Sequence, residues 1–249
     1  METDMRLYAV IGCPIAHSRS PELYRDMFKK HGLDADMIRI LVEPHELAGI
    51  CRLAEPLSGF AVTMPHKRAI MPLLDGISDE ARSIGAVNIV ERRGDELIGH
   101  NTDGDGLTDA LYALGAELSG RRAAILGRGG AARAAAYALH KRGCEPTFIV
   151  REIRDGSSFC EADLAALHTH FDLFINATPL GMDGGEELEA SGFLKDMAPS
   201  FVMDMVYRRS GETQLIREAR RLGIACADGS AMLEKQAERA FRIWTGLEP

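Results

Sequence analysis

Short apolar runs alternate with amphipathic stretches along most of this chain. The apolar runs predict buried strands, at 7–12, 36–42, 59–63, 123–127, 147–150, 172–178 and 201–206. Several of them are separated by predicted amphipathic helices, at 21–32, 131–143 and 213–223. Strands that alternate with helices of this length are typical of βαβ units. The pattern therefore predicts an α/β fold with mostly parallel sheets.

Glycines mark the ends of these three helices. Gly32, Gly143 and Gly223 each directly follow the helical pattern. Glycine adopts the left-handed backbone conformation that commonly closes a helix. We therefore expect each helix to end just before its glycine.

The character of the chain changes near 99–107, where the sequence is GHNTDGDGL. Before this stretch the predicted strands end in polar residues. After it, a further helix leads to a glycine-rich strand–turn–helix. We expect a first domain over 1–102 and a second over 103–230. A last amphipathic helix, 232–246, could pack on either domain as far as its pattern shows.

The glycine-rich segment has the form of a dinucleotide-binding turn. Gly127-x-Gly129-x-x-Ala132 follows a predicted strand and opens an alanine-rich helix. Such a turn lets the backbone approach a pyrophosphate, and the helix N-terminus favours the anion. An ordinary tight turn is the alternative, but the flanking strand and helix favour a cofactor. The second domain is therefore predicted to be a Rossmann-like dinucleotide-binding domain.

The end of the next strand bears on which dinucleotide binds. NAD-selective sites usually have an acid there for the ribose hydroxyls, whereas an arginine accommodates the 2′-phosphate of NADP. This chain has Val150 at that point, followed by Arg151, Glu152 and Arg154. The arginines favour NADP, while Glu152 keeps NAD possible. A solvated loop is the alternative reading of the arginines.

Composition excludes several classes of function. The 249 residues carry a formal net charge of -8 and no long basic run, which argues against a dedicated nucleic-acid surface. No apolar stretch reaches the ~18 residues of a membrane span, and the N-terminus does not resemble a signal peptide. The five scattered cysteines fit reduced thiols better than disulfides or a metal site. We expect a cytoplasmic protein that handles small molecules and contains no metal.

Polar clusters follow the strands of the first half. They contain Ser18 and Ser20, Thr63 and Lys67, Asn88, and the run 101–103. Ligands of open α/β sheets bind beyond the carboxyl ends of the strands. Any single cluster is equally well explained as helix caps or turn residues. Four clusters, each between an apolar run and a helix or turn, favour a binding site.

At these residues the chain resembles the shikimate dehydrogenases. The resemblance runs from about residue 8 to Trp244, and its motifs are GCPIAHSRSP, VTMPHK, GAVN, NTDG, LGRGGAAR, INATPLGM, DMVY and MLEKQAERAFRIWTG, in the family's order. It implies an NADP-linked oxidoreductase of aromatic amino-acid precursor (chorismate pathway) biosynthesis. It also implies that the substrate domain takes in the C-terminal helix, as 1–102 plus 231–249.

The resemblance also implies site roles. Lys67 and Asp103 would be the catalytic pair. The substrate carboxylate would be held by Ser18 and Ser20, with Tyr207 nearby, and the ring hydroxyls by Thr63, Asn88 and Gln236. The residues lining the cofactor would be Gly127, Arg128, Gly129, Gly130, Ala131, Arg151, Arg154, Met205 and Gly229. His17 and His66 are expected to be structural or adjacent to the substrate.

The chemistry agrees with these residue types. Oxidation of a secondary alcohol removes its proton while a hydride leaves for the nicotinamide. A lysine can serve as acid and base when partial burial lowers its pKa, and a neighbouring carboxylate can position it. Hydroxyl and amide side chains can hydrogen-bond a polyhydroxylated ring, where an unmatched hydroxyl is costly.

The chain also departs from the family pattern. The family commonly has Asn where Ala61 stands and Thr where Ile89 stands. Val150-Arg151-Glu152 replaces the usual Asn-Arg-Thr, and the proline usual shortly after Tyr207 is missing. Only 19 residues separate Arg151 from Phe171, so we expect a trimmed crossover in the cofactor domain.

The leading hypothesis is an NADP-dependent dehydrogenase that interconverts shikimate and 3-dehydroshikimate. A quinate or aminoshikimate-type dehydrogenase using NAD or NADP is the alternative within the same class. A catalytically idle dinucleotide-binding sensor is the alternative outside it, although the Lys67/Asp103 pair argues against a sensor. A folate-linked dehydrogenase fits less well because paired serines suit a small carboxylate. The sequence leaves monomer and homodimer open.

Overall fold

The structure, a computed structural model, describes residues 5–50, 55–153 and 159–249. The chain divides into two compact units. The first unit comprises Met1–Thr102 and Gln236–Pro249, and the second unit comprises Asp103–Lys235. Each is an α/β unit with its own sheet, as the strand–helix alternation predicts.

A mixed six-stranded sheet forms the centre of the first unit. Its strands are β1 Arg6–Gly12, β2 Ala35–Leu41, β3 Gly59–Val62, β4 Gly76–Ile77, β5 Ile89–Arg93 and β6 Glu96–His100. They lie in the order β2-β1-β3-β5-β6-β4. β1 pairs in parallel with both β2 and β3, β4 pairs in parallel with β6, and β5 is antiparallel to β3 and β6.

The β5–β6 hairpin is absent from the strands predicted above. Its two-residue connection is Gly94-Asp95, and Gly94 has a φ of +63°, which favours glycine. A glycine at a two-residue turn between two runs of β-forming residues is a hairpin signal. Residues 91–96 are almost entirely charged, so the hairpin lacks the continuous apolar run that predicts a buried strand.

Helices and apolar clusters cover both faces of this sheet. The helices are α1 Ser20–Lys30 and α2 Asp79–Ile84, with a 3-10 turn at Leu47–Gly49. Ala9 and Val10, neighbours on β1, belong to different apolar clusters because successive strand residues point to opposite faces. The cluster of Val10 also contains Ala61 and Phe241.

The C-terminal helix, α7 Gly229–Thr245, is fastened to the first unit by a tryptophan. The indole Nε1 of Trp244 donates to the Val90 carbonyl at 3.0 Å. Its ring lies 4.9 Å from that of Tyr8 and 5.0 Å from that of Tyr24. These contacts explain why residues from 236 onward belong to the first unit.

The second unit has an all-parallel sheet. Its strands are β7 Arg122–Leu126, β8 Glu145–Ile149, β9 Cys160–Ala162, β10 Leu173–Asn176, β11 Phe201–Asp204 and β12 Ala225–Ala227. The order is β12-β11-β10-β7-β8-β9. Its helices are α3 Asp103–Ala113, α4 Gly130–Lys141, α5 Phe193–Met197 and α6 Gln214–Arg221. This is the Rossmann order, with its reversal between β7 and β10.

The connection from β8 to β10 is short. Its described residues form β9 and a 3-10 helix at Leu164–His168, with no α-helix among them. A trimmed crossover of this kind is what the spacing from Arg151 to Phe171 predicts.

The predicted glycine helix ends are confirmed. Gly32, Gly143 and Gly223 follow the last turns of α1, α4 and α6 with φ of +62°, +77° and +72°. After α1, the Leu33 N–H donates to the Phe28 carbonyl at 2.9 Å, which closes the helix as a Schellman motif does.

Membrane-spanning helices and cysteine pairing were checked over all the described residues. None of the described helices is long and apolar enough to cross a membrane. The cysteines in the described segments, Cys13, Cys144, Cys160 and Cys226, are free thiols.

Gly59, the first residue of β3, offers a test of the α7 contact. A Cβ there would lie 2.6 Å from Trp244 Nε1 and 2.9 Å from the Val90 carbonyl oxygen. We expect Gly59→Ala to lower the free energy of unfolding by about 1–3 kcal/mol, because neither neighbour can move without losing their hydrogen bond. Chemical denaturation measures this. Gly49→Ala is the control, since a Cβ at Gly49 meets nothing within 4 Å. Equal effects of the two substitutions would contradict the packing account.

Candidate active site

Ser18 and Ser20 lie together after β1. Their hydroxyl oxygens are 3.3 Å apart, and the Ser20 N–H points to the Ser18 hydroxyl at 3.4 Å. Both residues are buried. The Arg39 guanidinium holds the segment by donating to the Ser18 carbonyl through Nε at 2.9 Å and Nη2 at 2.5 Å. The two hydroxyls therefore form a fixed pair at the end of β1.

Asn88, Thr102 and Gln236 form a buried hydrogen-bond network in the first unit. The Asn88 amide nitrogen donates to Thr102 Oγ1 at 3.0 Å and to Gln236 Oε1 at 3.2 Å. In return, the Thr102 N–H donates to Asn88 Oδ1 at 2.8 Å. The Thr102 hydroxyl also donates to Gln236 Oε1 at 3.2 Å. Sequence reasoning expected roles for Asn88 and Gln236 but assigned none to Thr102, which connects them.

The segment after β3 carries Thr63 and Lys67, both half-buried. Its backbone is held at both ends. The Thr63 N–H donates to the Ile11 carbonyl at 2.9 Å, and the Lys67 carbonyl accepts from the Val87 N–H at 2.7 Å. Between them the buried His66 ring reaches the Val42 carbonyl with Nε2 at 2.7 Å. A carbonyl only accepts, so Nε2 carries the proton. His66 thus anchors the segment that bears Lys67.

Asp103 is the first residue of α3 and is buried. The next residue brings α3 very close to α4. A Cβ at Gly104 would lie 2.5 Å from the Ala134 carbonyl oxygen and 2.8 Å from the Ala138 Cβ. The start of α3 is therefore held in place by helix packing. Asp103 belongs to the second unit, whereas Lys67 belongs to the first.

The glycine-rich turn connects β7 to α4 and suits a dinucleotide. Gly127 has a φ of +98°, and its N–H donates to the Ile149 carbonyl at 2.9 Å. A Cβ at Gly129 would meet nothing within 4 Å, so the approach to the backbone is open. No described side chain caps α4, and its first turn, which begins with Gly130 and Ala131, contains no acid. The N–H groups at this helix start are thus suited to a pyrophosphate.

Charged residues surround the end of β8. Arg151 and Glu152 follow it and are exposed. Arg154, also predicted to contact the cofactor, lies outside the described residues. Arg128 in the glycine turn pairs with Glu161 on β9, with Nη1 3.4 Å from each carboxylate oxygen. Sequence reasoning did not include Glu161.

Met205 and Gly229 come together after β11. A Cβ at Gly229 would be 2.3 Å from the Met205 carbonyl oxygen, so only glycine fits there. The Gly229 N–H donates to the Val206 carbonyl at 3.1 Å. Tyr207 follows and is half-buried. The backbone of 205–207 is therefore fixed against the start of α7.

A buried carboxylate organises the same edge of the second unit. Asp204 accepts from Thr213 Oγ1 at 2.6 Å, from Asn176 Nδ2 at 2.9 Å and from the Val206 N–H at 3.0 Å. Burial raises the pKa of Asp204 above its usual value, and these hydrogen bonds only partly offset the effect. Sequence reasoning missed this residue. The sequence does place a polar residue, Asn176 or Asp204, at the end of each of two apolar strands, and this pattern could have indicated a buried polar pair.

Comparison with known proteins shows the family of this chain. Residues 10–90 match the family model described as the shikimate dehydrogenase substrate binding domain. The shikimate dehydrogenase (NADP(+)) of Geobacter metallireducens is 41% identical over 98% of this chain and 92% of its own length. The chain belongs to the shikimate dehydrogenase family.

Solved structures of this family have the same fold. Shikimate dehydrogenase 1 from Peptoclostridium difficile matches with a TM-score of 0.90 and 28% identity, over 98% of this chain and 93% of that one. The shikimate 5-dehydrogenase of Thermus thermophilus, solved with NADP(H) and shikimate, matches with a TM-score of 0.86 and 33% identity, over 98% and 95%. The α/β, Rossmann-like fold class is thereby confirmed.

Against the family pattern, Ala61 stands out in the first unit. It lies on β3 between Val10 and Ile89 of the neighbouring strands and is 8% exposed. Thr63 follows Ala61 by two residues in the chain. Its Cγ2 lies so close to Gly12 that a Cβ at Gly12 would be only 2.5 Å away. This position of β3 thus has a small apolar residue where the family commonly has an amide.

Asp204 makes stability depend on pH. Its pKa in the folded protein is raised, so the folded state binds this proton more tightly than the unfolded chain, and the free energy of unfolding falls as pH rises through the folded pKa. Asp204→Asn removes that component. We expect the wild type to gain stability relative to the variant as pH falls from 7 towards ~4, the usual pKa of Asp. Denaturant unfolding at the two pH values measures the change. A difference that does not change with pH would contradict it.

Proposed function

We propose that this protein is an NADP-dependent shikimate dehydrogenase, which interconverts shikimate and 3-dehydroshikimate in aromatic amino-acid precursor biosynthesis. The observation that carries the proposal is 41% identity over nearly the whole chain to a relative of that name. The Asn88–Thr102–Gln236 network and the open glycine turn support it, because they provide hydroxyl-binding amides and an anion-binding backbone.

The two domains would divide the work. We propose that 1–102 with 231–249 binds the substrate and that 103–230 binds NADP. The family model for substrate binding, matched at 10–90, falls in the first of these. The glycine turn and the Rossmann order of strands belong to the second. Because α7 crosses from one compact unit to the other, the substrate domain would be discontinuous in sequence.

Substrate recognition rests on neutral hydrogen-bonding groups. Ser18 and Ser20 would bind the ring carboxylate, with Tyr207 nearby. The ring hydroxyls would be bound by Thr63, Asn88 and Gln236. The network through Thr102 fixes the two amides before the substrate arrives, so that little side-chain entropy is lost on binding.

Lys67 would carry the proton. As the alcohol is oxidised, the neutral Lys67 amine takes the hydroxyl proton while the hydride on the same carbon leaves. NADP supplies the hydride acceptor when it is bound. In the reverse direction the Lys67 ammonium returns the proton to the forming alkoxide. Asp103 would position the amine and stabilise its protonated form.

The cofactor would lie along the glycine turn. We propose contacts from Gly127, Arg128, Gly129, Gly130 and Ala131, and from Met205 and Gly229. Arg151 and Arg154 would favour the 2′-phosphate of NADP, whereas Glu152 would favour NAD. The proposed compartment is the cytoplasm, where free thiols such as Cys13 persist. The protein would work there as a monomer or homodimer.

Lys67 can be tested against its neighbour. We expect Lys67→Ala to lower kcat for shikimate oxidation by about 100-fold to 10,000-fold, the usual contribution of a general acid–base group. The KM for shikimate should change much less. Arg68→Ala is the matched control, because Arg68 is an exposed base one residue away, and it should keep kcat within about twofold. Thermal unfolding checks that both variants fold. An unchanged kcat in Lys67→Ala would remove the assigned role.

Substrate and cofactor preference can be settled in one comparison. We expect shikimate with NADP to be the fastest combination when shikimate and quinate are each assayed with NADP and NAD. Faster quinate turnover would favour the alternative dehydrogenase, for which the small Ala61 is the supporting observation. Cofactor binding without turnover of either ring would favour the sensor. Ala61→Asn should then shift the ratio of shikimate to quinate turnover if Ala61 lies at the ring.

A further inference from the structure

An ion pair in the second unit joins the glycine turn to β9, the strand at one edge of the sheet. Arg128 is the residue between the first two glycines of the turn, and Nη1 lies 3.4 Å from both carboxylate oxygens of Glu161. The Glu161 side chain is only 5% exposed, whereas that of Arg128 is 26% exposed. A buried carboxylate needs a cation or hydrogen-bond donors beside it, and the guanidinium of Arg128 is such a partner for Glu161.

The pair spans the carboxyl end of β8. In the sheet β8 lies between β7, which leads to Arg128, and β9, which carries Glu161. Backbone bonds fix this alignment. The Gly127 N–H donates to the Ile149 carbonyl and the Val150 N–H donates to the Ala162 carbonyl, both at 2.9 Å. The guanidinium therefore lies alongside the last residues of β8.

The end of β8 is where a Rossmann-like domain receives the ribose next to adenine. The second strand of such a domain usually ends in the acid or the arginine that reads the 2′ position of this ribose. In this chain β8 ends at Ile149 and is followed by Val150, and neither apolar side chain can do so. We propose that Arg128 binds the 2′-phosphate of NADP and that Glu161 holds its guanidinium in place. The proposal rests on the dinucleotide part of the proposed function.

The guanidinium is suited to both contacts. It presents five N–H donors in a planar fork, and Nη1 is the nitrogen directed at Glu161. The exposed part of the side chain is available to a phosphate, which pairs well with a second edge of the fork. Arg151, by contrast, is exposed and lies beyond the end of β8. Arg128 is thus a cation that an ion pair holds beside the end of β8.

Nucleotide binding without shikimate tests the proposal. We expect Arg128→Ala to raise the Kd of NADPH and of adenosine 2′,5′-bisphosphate at least tenfold. The Kd of NADH and of 5′-AMP should stay within twofold, because these nucleotides lack the 2′-phosphate. Cofactor fluorescence and titration calorimetry measure these constants. Glu161→Gln keeps the cation but weakens its anchor, and it should raise the Kd of NADPH by a smaller factor.

Arg142→Ala is the matched control. Arg142 pairs with Asp105 at 2.8 Å, and its side chain is 22% exposed, so the lost ion pair is comparable. It should leave all four constants within twofold. Equal weakening of NADPH and NADH by Arg128→Ala, or no weakening of either, would overturn the proposal. Tighter NADPH binding by Glu161→Gln would overturn the positioning role.

These constants separate the two proposals. If the wild type failed to oxidise shikimate but the binding pattern held, the proposed activity would fall and the assignment of Arg128 would stand. If the wild type oxidised shikimate with NADP but Arg128→Ala left the Kd of NADPH unchanged, the proposed activity would stand and the assignment of Arg128 would fall.

Discussion

Buried polar groups at the ends of strands need hydrogen-bond partners, and the candidate site follows from how this chain provides them. Leaving such a group without a partner costs about 1–3 kcal/mol. In the first unit, Asn88 is satisfied by Thr102 and Gln236, the latter 148 residues away. Close backbone approaches, such as that of Gly229 to the Met205 carbonyl, complement this network. A site fixed in this way is preorganised, which reduces the cost of ordering it on binding.

The cofactor side combines family features with features of this chain. The turn beginning at Gly127 and the parallel sheet are those of a Rossmann-like domain. The trimmed β8–β10 connection and the strand end at Val150 are departures, and the Arg128–Glu161 pair lies beside both. A cation on the glycine turn compensates for the apolar end of β8 in our proposal. Arg128 would then act on the 2′-phosphate alongside Arg151 and Arg154, the arginines proposed for it after β8.

The local sequence was enough to predict most of the strands, the main helices and the dinucleotide-binding turn of this protein. The period of the apolar residues identified seven strands and the main helices, because burial on a strand or a helix leaves a repeat that is visible in a short window. Gly32, Gly143 and Gly223 marked helix ends because few other residues adopt their backbone conformation. The glycine turn at Gly127 indicated the dinucleotide fold for the same reason. Family motifs then supplied expected roles for Lys67 and the other site residues.

Long-range contacts required the folded chain. The hairpin at 89–100 was not predicted, because the charged residues at its turn interrupt the apolar pattern of its strands. The strands β9 and β12 were not predicted either, because three residues are too few to show a pattern. Thr102, Asp204 and Glu161 are ordinary polar residues in sequence. Their importance comes from partners brought close by the two sheets, such as Thr213 for Asp204 and Arg128 for Glu161. A hydrogen bond between residues far apart in the chain leaves no local trace, so only the packed structure reveals it.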